Sequence, residues 1–249
     1  DPLEVDILIF VSQTGDYIIP ATSNILQHRL GLSNATMVFD INIGCSGYIY
    51  SLAVISNFIS SGFFKKGLLL VGDTVSKFCS KTDRSTYPLF GDAGTATALS
   101  FNENSSKMKF DFGSDGSGYK AIIIPDGGYR QKFNAESLVT EKISDGIERT
   151  KTDLVLEGTD VFQFSLKEAP SSVNNLLKKS ALEVENIDYF LFHQANMLMN
   201  ELIRKKLKIP AEKVPYSMKE FGNTSSASIP LTIVSELKSI ISEGEKKLV

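Results

Sequence analysis

Apolar residues fall along this chain in two rhythms. Residues 5–11, Val-Asp-Ile-Leu-Ile-Phe-Val, form a nearly unbroken apolar run, the pattern of a strand covered on both faces. Residues 21–30 switch to helical spacing and stop at Gly31. A second apolar run at 38–43 passes through Gly44-Cys45-Ser46-Gly47 into a long helical pattern that carries Leu52, Ile55, Phe58 and Ile59 and ends at Gly62. Residues 66–71 predict another buried strand, closed by Gly72-Asp73, and residues 95–101 one more. Residues 108–112 and 121–124 read as strands joined by the glycine-rich turn 113–118. Residues 126–154 are polar, carry no period and read as irregular. Helical spacing returns at 162–181, with Pro170 marking a kink or a second start. A buried strand at 189–192 runs straight into His193. Residues 196–207 predict an amphipathic helix, and 228–242 a last helix whose first turn tolerates Pro230. Strands alternating with helices define an α/β class.

The pattern also repeats. Asp6-Ile7-Leu8-Ile9-Phe10 followed by Ser12-Gln13 has a counterpart in Asp188-Tyr189-Phe190-Leu191-Phe192 followed by His193-Gln194. Gly62 and Gly244, which stop the second helix of each copy, keep the same offset as Asp6 and Asp188. Two like halves packed face to face would each bring a loop-to-helix junction to a shared centre. Cys45 lies at such a junction in the first half. There the free N–H groups and dipole of a helix start favour a thiolate, the reactive form of cysteine.

Composition narrows the classes. The chain has 249 residues, 42% hydrophobic and 22% charged, enough for one large domain or two fused smaller ones. A net charge of −3 gives no reason to expect nucleic acid or an anionic membrane as partner. No apolar run approaches the roughly 18 residues of a membrane helix. Cys45 and Cys79 have neither metal-ligand spacing nor a disulfide framework, which predicts a reducing, cytoplasmic setting. The ends, Asp1-Pro2 and Lys246-Lys247-Leu248-Val249, read as those of a piece of a longer protein.

Three motifs carry candidate chemistry: Ile43-Gly44-Cys45-Ser46-Gly47, Phe192-His193-Gln194-Ala195-Asn196, and Gly222-Asn223-Thr224-Ser225-Ser226-Ala227-Ser228-Ile229-Pro230. In this order they resemble the β-ketoacyl-acyl-carrier-protein synthase III family of thiolase-like condensing enzymes. Thr82-Asp83-Arg84-Ser85-Thr86 and Leu89-Phe90-Gly91-Asp92-Ala93-Gly94 fit the same resemblance, which runs nearly the whole length. It implies a thiolase-like αβαβα layered fold from two pseudo-repeated halves, 1–153 carrying the cysteine and 154–249 carrying the histidine and asparagine. It implies a decarboxylating condensation of acyl-CoA with malonyl-acyl carrier protein, with Cys45, His193 and Asn223 catalytic. Arg84, Gly158, Phe162, Ala195 and Asn196 fall where the family contacts the coenzyme A or phosphopantetheine arm. A homodimer, acyl-CoA and an acyl carrier protein are the implied partners, with no metal and no redox cofactor.

The residue types suit that chemistry. A cysteine thiolate can hold an acyl group as a new thioester. Uncharged donors such as an imidazole N–H and a carboxamide stabilise the enolate formed when a malonyl thioester loses CO2. A non-decarboxylating acyltransferase on the same scaffold, or a non-catalytic partner subunit, would use the same framework. One departure stands out. Many family members carry an arginine two places after the asparagine of the His-Gln-Ala-Asn motif, where it helps dock the carrier protein; here that position is Leu198. Arg204, Lys205, Lys206 and Lys208 offer another basic patch or a solvated helix end.

Overall fold

The computed structural model describes residues 1–249. Strand β1 (Ile7–Val11) is the centre of the first half: Ile7, Leu8, Ile9 and Val11 are wholly buried. Helix α1 (Thr22–Arg29) carries the chain across to β2 (Met37–Ile41), and α2 (Gly47–Ser60) to β3 (Lys66–Asp73). Both β2 and β3 run parallel to β1, a pairing that requires crossover helices. β4 (Ala93–Ser100) closes the sheet antiparallel to β3, giving the order β2-β1-β3-β4. Gly67 lets α2 lie directly on β3: a Cβ there would come within 2.6 Å of Ile55.

Beyond the sheet, β5 (Ile122–Ile123), β6 (Glu141–Ser144), β7 (Ile147–Arg149) and β8 (Val155–Leu156) form two small antiparallel pairs, β5 with β8 and β6 with β7. Five helices follow: α3 (Gly158–Ser180), α4 (Met197–Lys206), α5 (Met218–Phe221), α6 (Ser228–Glu236) and α7 (Lys238–Ile241). The core around the sheet takes Leu191, Ala227, Ile229 and Leu237 from the C-terminal part of the chain. A second core gathers Leu177, Phe190, Met199, Ile203, Leu207 and Ile209.

Several expectations are corrected. Residues 108–112 are not a strand; the segment is held by ring contacts, Phe112 to Tyr50 on α2 at 4.8 Å and to Phe110 at 5.7 Å between centroids. Residues 126–154 are not irregular throughout. They contain the β6–β7 hairpin, closed by Asp145-Gly146 with Gly146 at φ +68°, a dipeptide that favours two-residue hairpin turns. The buried Asp83 carboxylate pairs with Arg149 at 3.2 Å and ties that hairpin to the 82–86 loop. Pro170 neither ends nor restarts a helix; α3 runs through it, with Pro170 buried. Residues 189–192 are not a full strand: they form a bridge between Tyr189 and Leu248, with further backbone bonds from Phe190 N–H to Lys213 O and from Leu191 N–H to Val249 O. The last helix breaks at Leu237, whose backbone leaves the helical region while its side chain enters the core.

One close approach positions the functional loops. Asn223 N–H donates to Leu89 O at 2.8 Å and Gly91 N–H to Asn223 O at 3.0 Å, so 89–91 and 221–223 run as a short parallel pair. A Cβ on Gly91 would lie 2.1 Å from the Phe221 carbonyl oxygen. Gly91→Ala is therefore expected to cost about 1–3 kcal/mol, the usual range for overpacking. Gly94→Ala, whose Cβ meets nothing within 4 Å, is the control. Thermal melting of the two variants checks this; equal melting temperatures would show that the 89–91 contact is not tight.

Candidate active site

Cys45 sits where β2 gives way to α2. Gly47 N–H donates to Gly44 O at 2.6 Å and closes the turn that presents the thiol. Gly47 is the first helical residue, and a Cβ on it would lie 2.6 Å from Val11 and 3.1 Å from Ser226 Oγ. Its bareness lets the 223–228 segment reach the cysteine turn. Ser226 Oγ then donates to Gly44 O at 2.7 Å, with Ile43 O at 3.2 Å. This bond joins segments on either side of nearly the whole chain and brings the loop of Asn223 beside that of Cys45.

His193 is fixed from three directions. Its carbonyl accepts from Asn200 Nδ2 at 3.0 Å and from Ala195 N–H at 2.9 Å. Its Nδ1 lies 2.7 Å from Ser228 Oγ. Its Nε2 is buried and makes no hydrogen bond of good geometry. That nitrogen is the one the protein leaves unpartnered.

Cys45 is solvent-accessible, yet dense protein surrounds it on its other sides. Desolvation pushes its thiol up, but the charge of His193, a hydrogen-bonding contribution from His193 and the cysteine's own N–H together outweigh it, and the net shift is down. Desolvation likewise pushes His193 down, and the Cys45 thiolate more than reverses it, so the imidazole is raised. The two shifts have one cause: the charged form of each group favours the charged form of the other. Asp73 opposes it, raising the thiol. That buried carboxylate accepts from Gln13 N–H at 2.7 Å and Ser12 Oγ at 3.1 Å. Cys79 is different: buried against apolar neighbours, its thiol is pushed up to about 11.

Asn223 is largely buried. Its Oδ1 accepts from Ser225 N–H at 2.9 Å, which leaves the Nδ2 amide as the outward donor. Gly222 (φ +65°, ψ −156°) makes the turn into it, and Ser225 holds φ +53°, a strained value for a residue with a side chain.

The residues assigned to the substrate arm are spread more widely. Arg84 is exposed and lies 3.8 Å from Asp145. Gly158 opens α3 with no side-chain cap, and its Cβ position is open space. Phe162 packs against the second core. Ala195 lies two places after the histidine and donates its N–H to the His193 carbonyl. Asn196 caps α4, its Oδ1 accepting from Met199 N–H at 3.1 Å, a structural role that sequence reasoning did not assign. Gln194 is a buried bolt, donating to Phe192 O and accepting from Ser217 N–H. Of the basic patch, Arg204 is engaged by Glu201 and by Ile209 O, and Lys206 by Leu166 O, while Lys205 and Lys208 are exposed. Ser226, Ser228 and Asp73 were not singled out from the sequence. Their only signal was the hydroxyl-rich Thr-Ser-Ser-Ala-Ser run, and an acid closing a buried strand.

Comparison with known proteins places this geometry in context. The family profile for 3-oxoacyl-[acyl-carrier-protein] synthase III matches residues 39–116, and that for its C-terminal domain residues 177–248. A β-ketoacyl-[acyl-carrier-protein] synthase III of Caldanaerobacter subterraneus is 33% identical over 98% of this chain and 71% of that relative. A 3-oxoacyl-(acyl-carrier protein) synthase of Burkholderia xenovorans superposes with TM-score 0.91 at 41% identity, over 99% of this chain and 69% of that one. A crystallised 3-oxoacyl-(acyl-carrier-protein) synthase III superposes with TM-score 0.92 at 37% identity, over 98% and 72%.

The two cysteines should react differently. At neutral pH an alkylating reagent is expected to modify Cys45 and spare Cys79, as read by peptide mass spectrometry. Removing the imidazolium in His193→Ala takes away what lowers the thiol, so the midpoint of the alkylation rate against pH should move upward. An unchanged midpoint would mean that His193 does not hold the thiolate.

Proposed function

The chain belongs to the β-ketoacyl-[acyl-carrier-protein] synthase III family, with its α/β thiolase-like fold, and from that premise we propose that it joins an acyl group from acyl-CoA to malonyl-acyl carrier protein. The products are 3-oxoacyl-acyl carrier protein, CO2 and free coenzyme A. The observation that carries this reading is geometric: Ser226 ties the Asn223 loop to the turn that presents Cys45, and His193 is held through Nδ1 with Nε2 left unpartnered.

The chemistry runs in two steps. In the first, the Cys45 thiolate attacks the acyl-CoA carbonyl and the C–S bond to coenzyme A breaks. The imidazolium supplies the proton with which coenzyme A leaves as a thiol. The acyl group is now a thioester on Cys45, close in energy to the one it came from. In the second, the malonyl thioester binds with its carbonyl oxygen toward Nε2 of His193 and Nδ2 of Asn223. The bond to the carboxylate breaks, CO2 departs, and its electron pair becomes an enolate whose oxygen both donors stabilise. The enolate carbon attacks the acyl carbonyl and expels Cys45 as a thiolate. Neutral donors fit this step, since neither competes as a nucleophile. The chemistry requires neither a metal nor a redox cofactor.

Arg84 and the uncapped start of α3 at Gly158 suit the phosphates of an elongated thioester arm. The exposed run Tyr17-Ile18-Ile19, 66%, 76% and 81% accessible, supports a homodimer. No helix is long and apolar enough to cross a membrane, in keeping with a cytoplasmic enzyme.

Acylation followed by intact-protein mass spectrometry and release of labelled CO2 from malonyl-acyl carrier protein test the two steps separately. Cys45→Ala is expected to abolish acylation. His193→Ala and Asn223→Ala should leave acylation measurable and cut CO2 release by ~10²–10³, the cost of one lost oxyanion donor. Normal CO2 release by His193→Ala would sink the assignment.

A further inference from the structure

The imidazole of His193 has to present Nε2–H to the malonyl oxygen, yet it enters the second step with only one ring proton. That proton can sit on either nitrogen, and only one placement leaves a donor facing the substrate. The contacts around Nδ1 decide which. Ser228 Oγ lies 2.7 Å from Nδ1. Its one other hydrogen-bond neighbour is the Gln194 N–H at 3.4 Å, itself a donor. If Nδ1–H donated to Ser228, the serine would face two donors and its own proton would find no acceptor. If Ser228 donates to Nδ1, every group is satisfied: the serine gives its proton to Nδ1 and accepts from Gln194, and the ring proton goes to Nε2.

We propose that Ser228 is a positioning residue that sets the tautomer of His193, holding the neutral imidazole with its proton on Nε2 for the decarboxylation step. The inference rests on the condensing reading for its consequence, not for its geometry. Two features keep the serine in place. Its carbonyl accepts from Thr232 Oγ1 at 2.8 Å, and Thr232 Oγ1 in turn contacts Ser217 Oγ at 2.7 Å. Ser228 is also wholly buried at the start of α6, where water does not compete for its hydroxyl. While the ring is charged Nδ1–H donates to the serine, whose own proton then lacks an acceptor, so Ser228 disfavours the imidazolium and favours the neutral ring that the second step uses. Its preference matters once Cys45 is acylated and the ring is neutral.

The chain has only two histidines, His193 and the exposed His28 of α1, so selective 15N labelling of histidine gives a readable spectrum. The first measurement uses Cys45→Ala, which removes the thiolate, at about pH 9, well above the usual histidine pKa. The expected spectrum has an unprotonated Nδ1 and a protonated Nε2 for His193. A protonated Nδ1 overturns the proposal whatever the activity does. The second measurement adds Ser228→Ala, expected to replace the fixed pattern with an average of the two tautomers. On the Cys45-containing protein, Ser228→Ala is expected to slow CO2 release roughly threefold to tenfold, the factor carried by a single hydrogen bond. Acylation should slow less, and Ser228→Thr should restore CO2 release. An unchanged spectrum and an unchanged CO2 rate in Ser228→Ala would refute the role. If that variant does not fold, the spectrum of Cys45→Ala decides alone. Failure of every form to release CO2 would instead remove the condensing reading and leave the tautomer measurement standing.

Discussion

The charge shared between Cys45 and His193 is the interaction the remaining structure serves. Each group, taken alone, is disfavoured in its charged form by the protein packed around it, and each is rescued by the other. Such a pair is worth having only if its geometry is held, since a charge left without its partner in dense surroundings is strongly unfavourable. The fold therefore spends its tightest contacts on two loops that the chain delivers from opposite ends of its length.

Those contacts depend on the absence of side chains as much as on their presence. Gly47 leaves room for Ser226 to reach the cysteine turn, and Gly91 leaves room for the Phe221 carbonyl. Gly222 adopts a backbone conformation open only to glycine, and its turn delivers Asn223. The strain at Ser225 belongs to the same arrangement: with Oδ1 of Asn223 bound to the Ser225 N–H, the amide nitrogen is turned outward. Hydroxyls then lock what the glycines admit, Ser226 to the cysteine turn and Ser228 to the imidazole.

The first half was legible in the sequence because its signals are local. Continuous apolar runs gave β1 and β3, helical spacing gave α1, α2 and α4, and Gly31 and Gly62 stopped two helices at left-handed positions. Elsewhere the signal was either overridden or present and unread. Residues 108–112 look like a strand, but Phe112 instead packs its ring at a tilt against Tyr50 of α2. Asp145-Gly146 was a hairpin signal inside a segment judged patternless. Pro170 is carried by the packing of a long helix. Of the candidate site, the motifs pointed to Cys45, His193 and Asn223, but not to the serines that contact the imidazole and the cysteine turn. A serine in a run of small residues looks like any turn, and its partner across the fold leaves no trace in spacing. Asn196 shows the converse: a motif residue also caps a helix, its Oδ1 accepting from Met199 N–H.

Asp73 shows how such a site balances position against charge. A buried carboxylate near a thiol opposes its ionisation, and the effect of Asp73 on Cys45 is to raise the thiol. Its position explains why it is tolerated. The carboxylate closes β3 and takes hydrogen bonds from Ser12 and Gln13 at the end of β1, while Ser226 approaches its other oxygen at 3.5 Å. It therefore gathers the ends of the two central strands at the point where the Asn223 loop arrives. Hydrogen bonds to a carboxylate are worth roughly twice those between neutral groups, and that gain is largest where water is excluded. The thiolate does not have to be optimised in isolation, because the imidazolium more than offsets the opposing carboxylate. What holds the arrangement is the register between strand ends and loops, since the Asn223 loop reaches the cysteine turn through the contacts of Ser226 with Gly44 and Asp73.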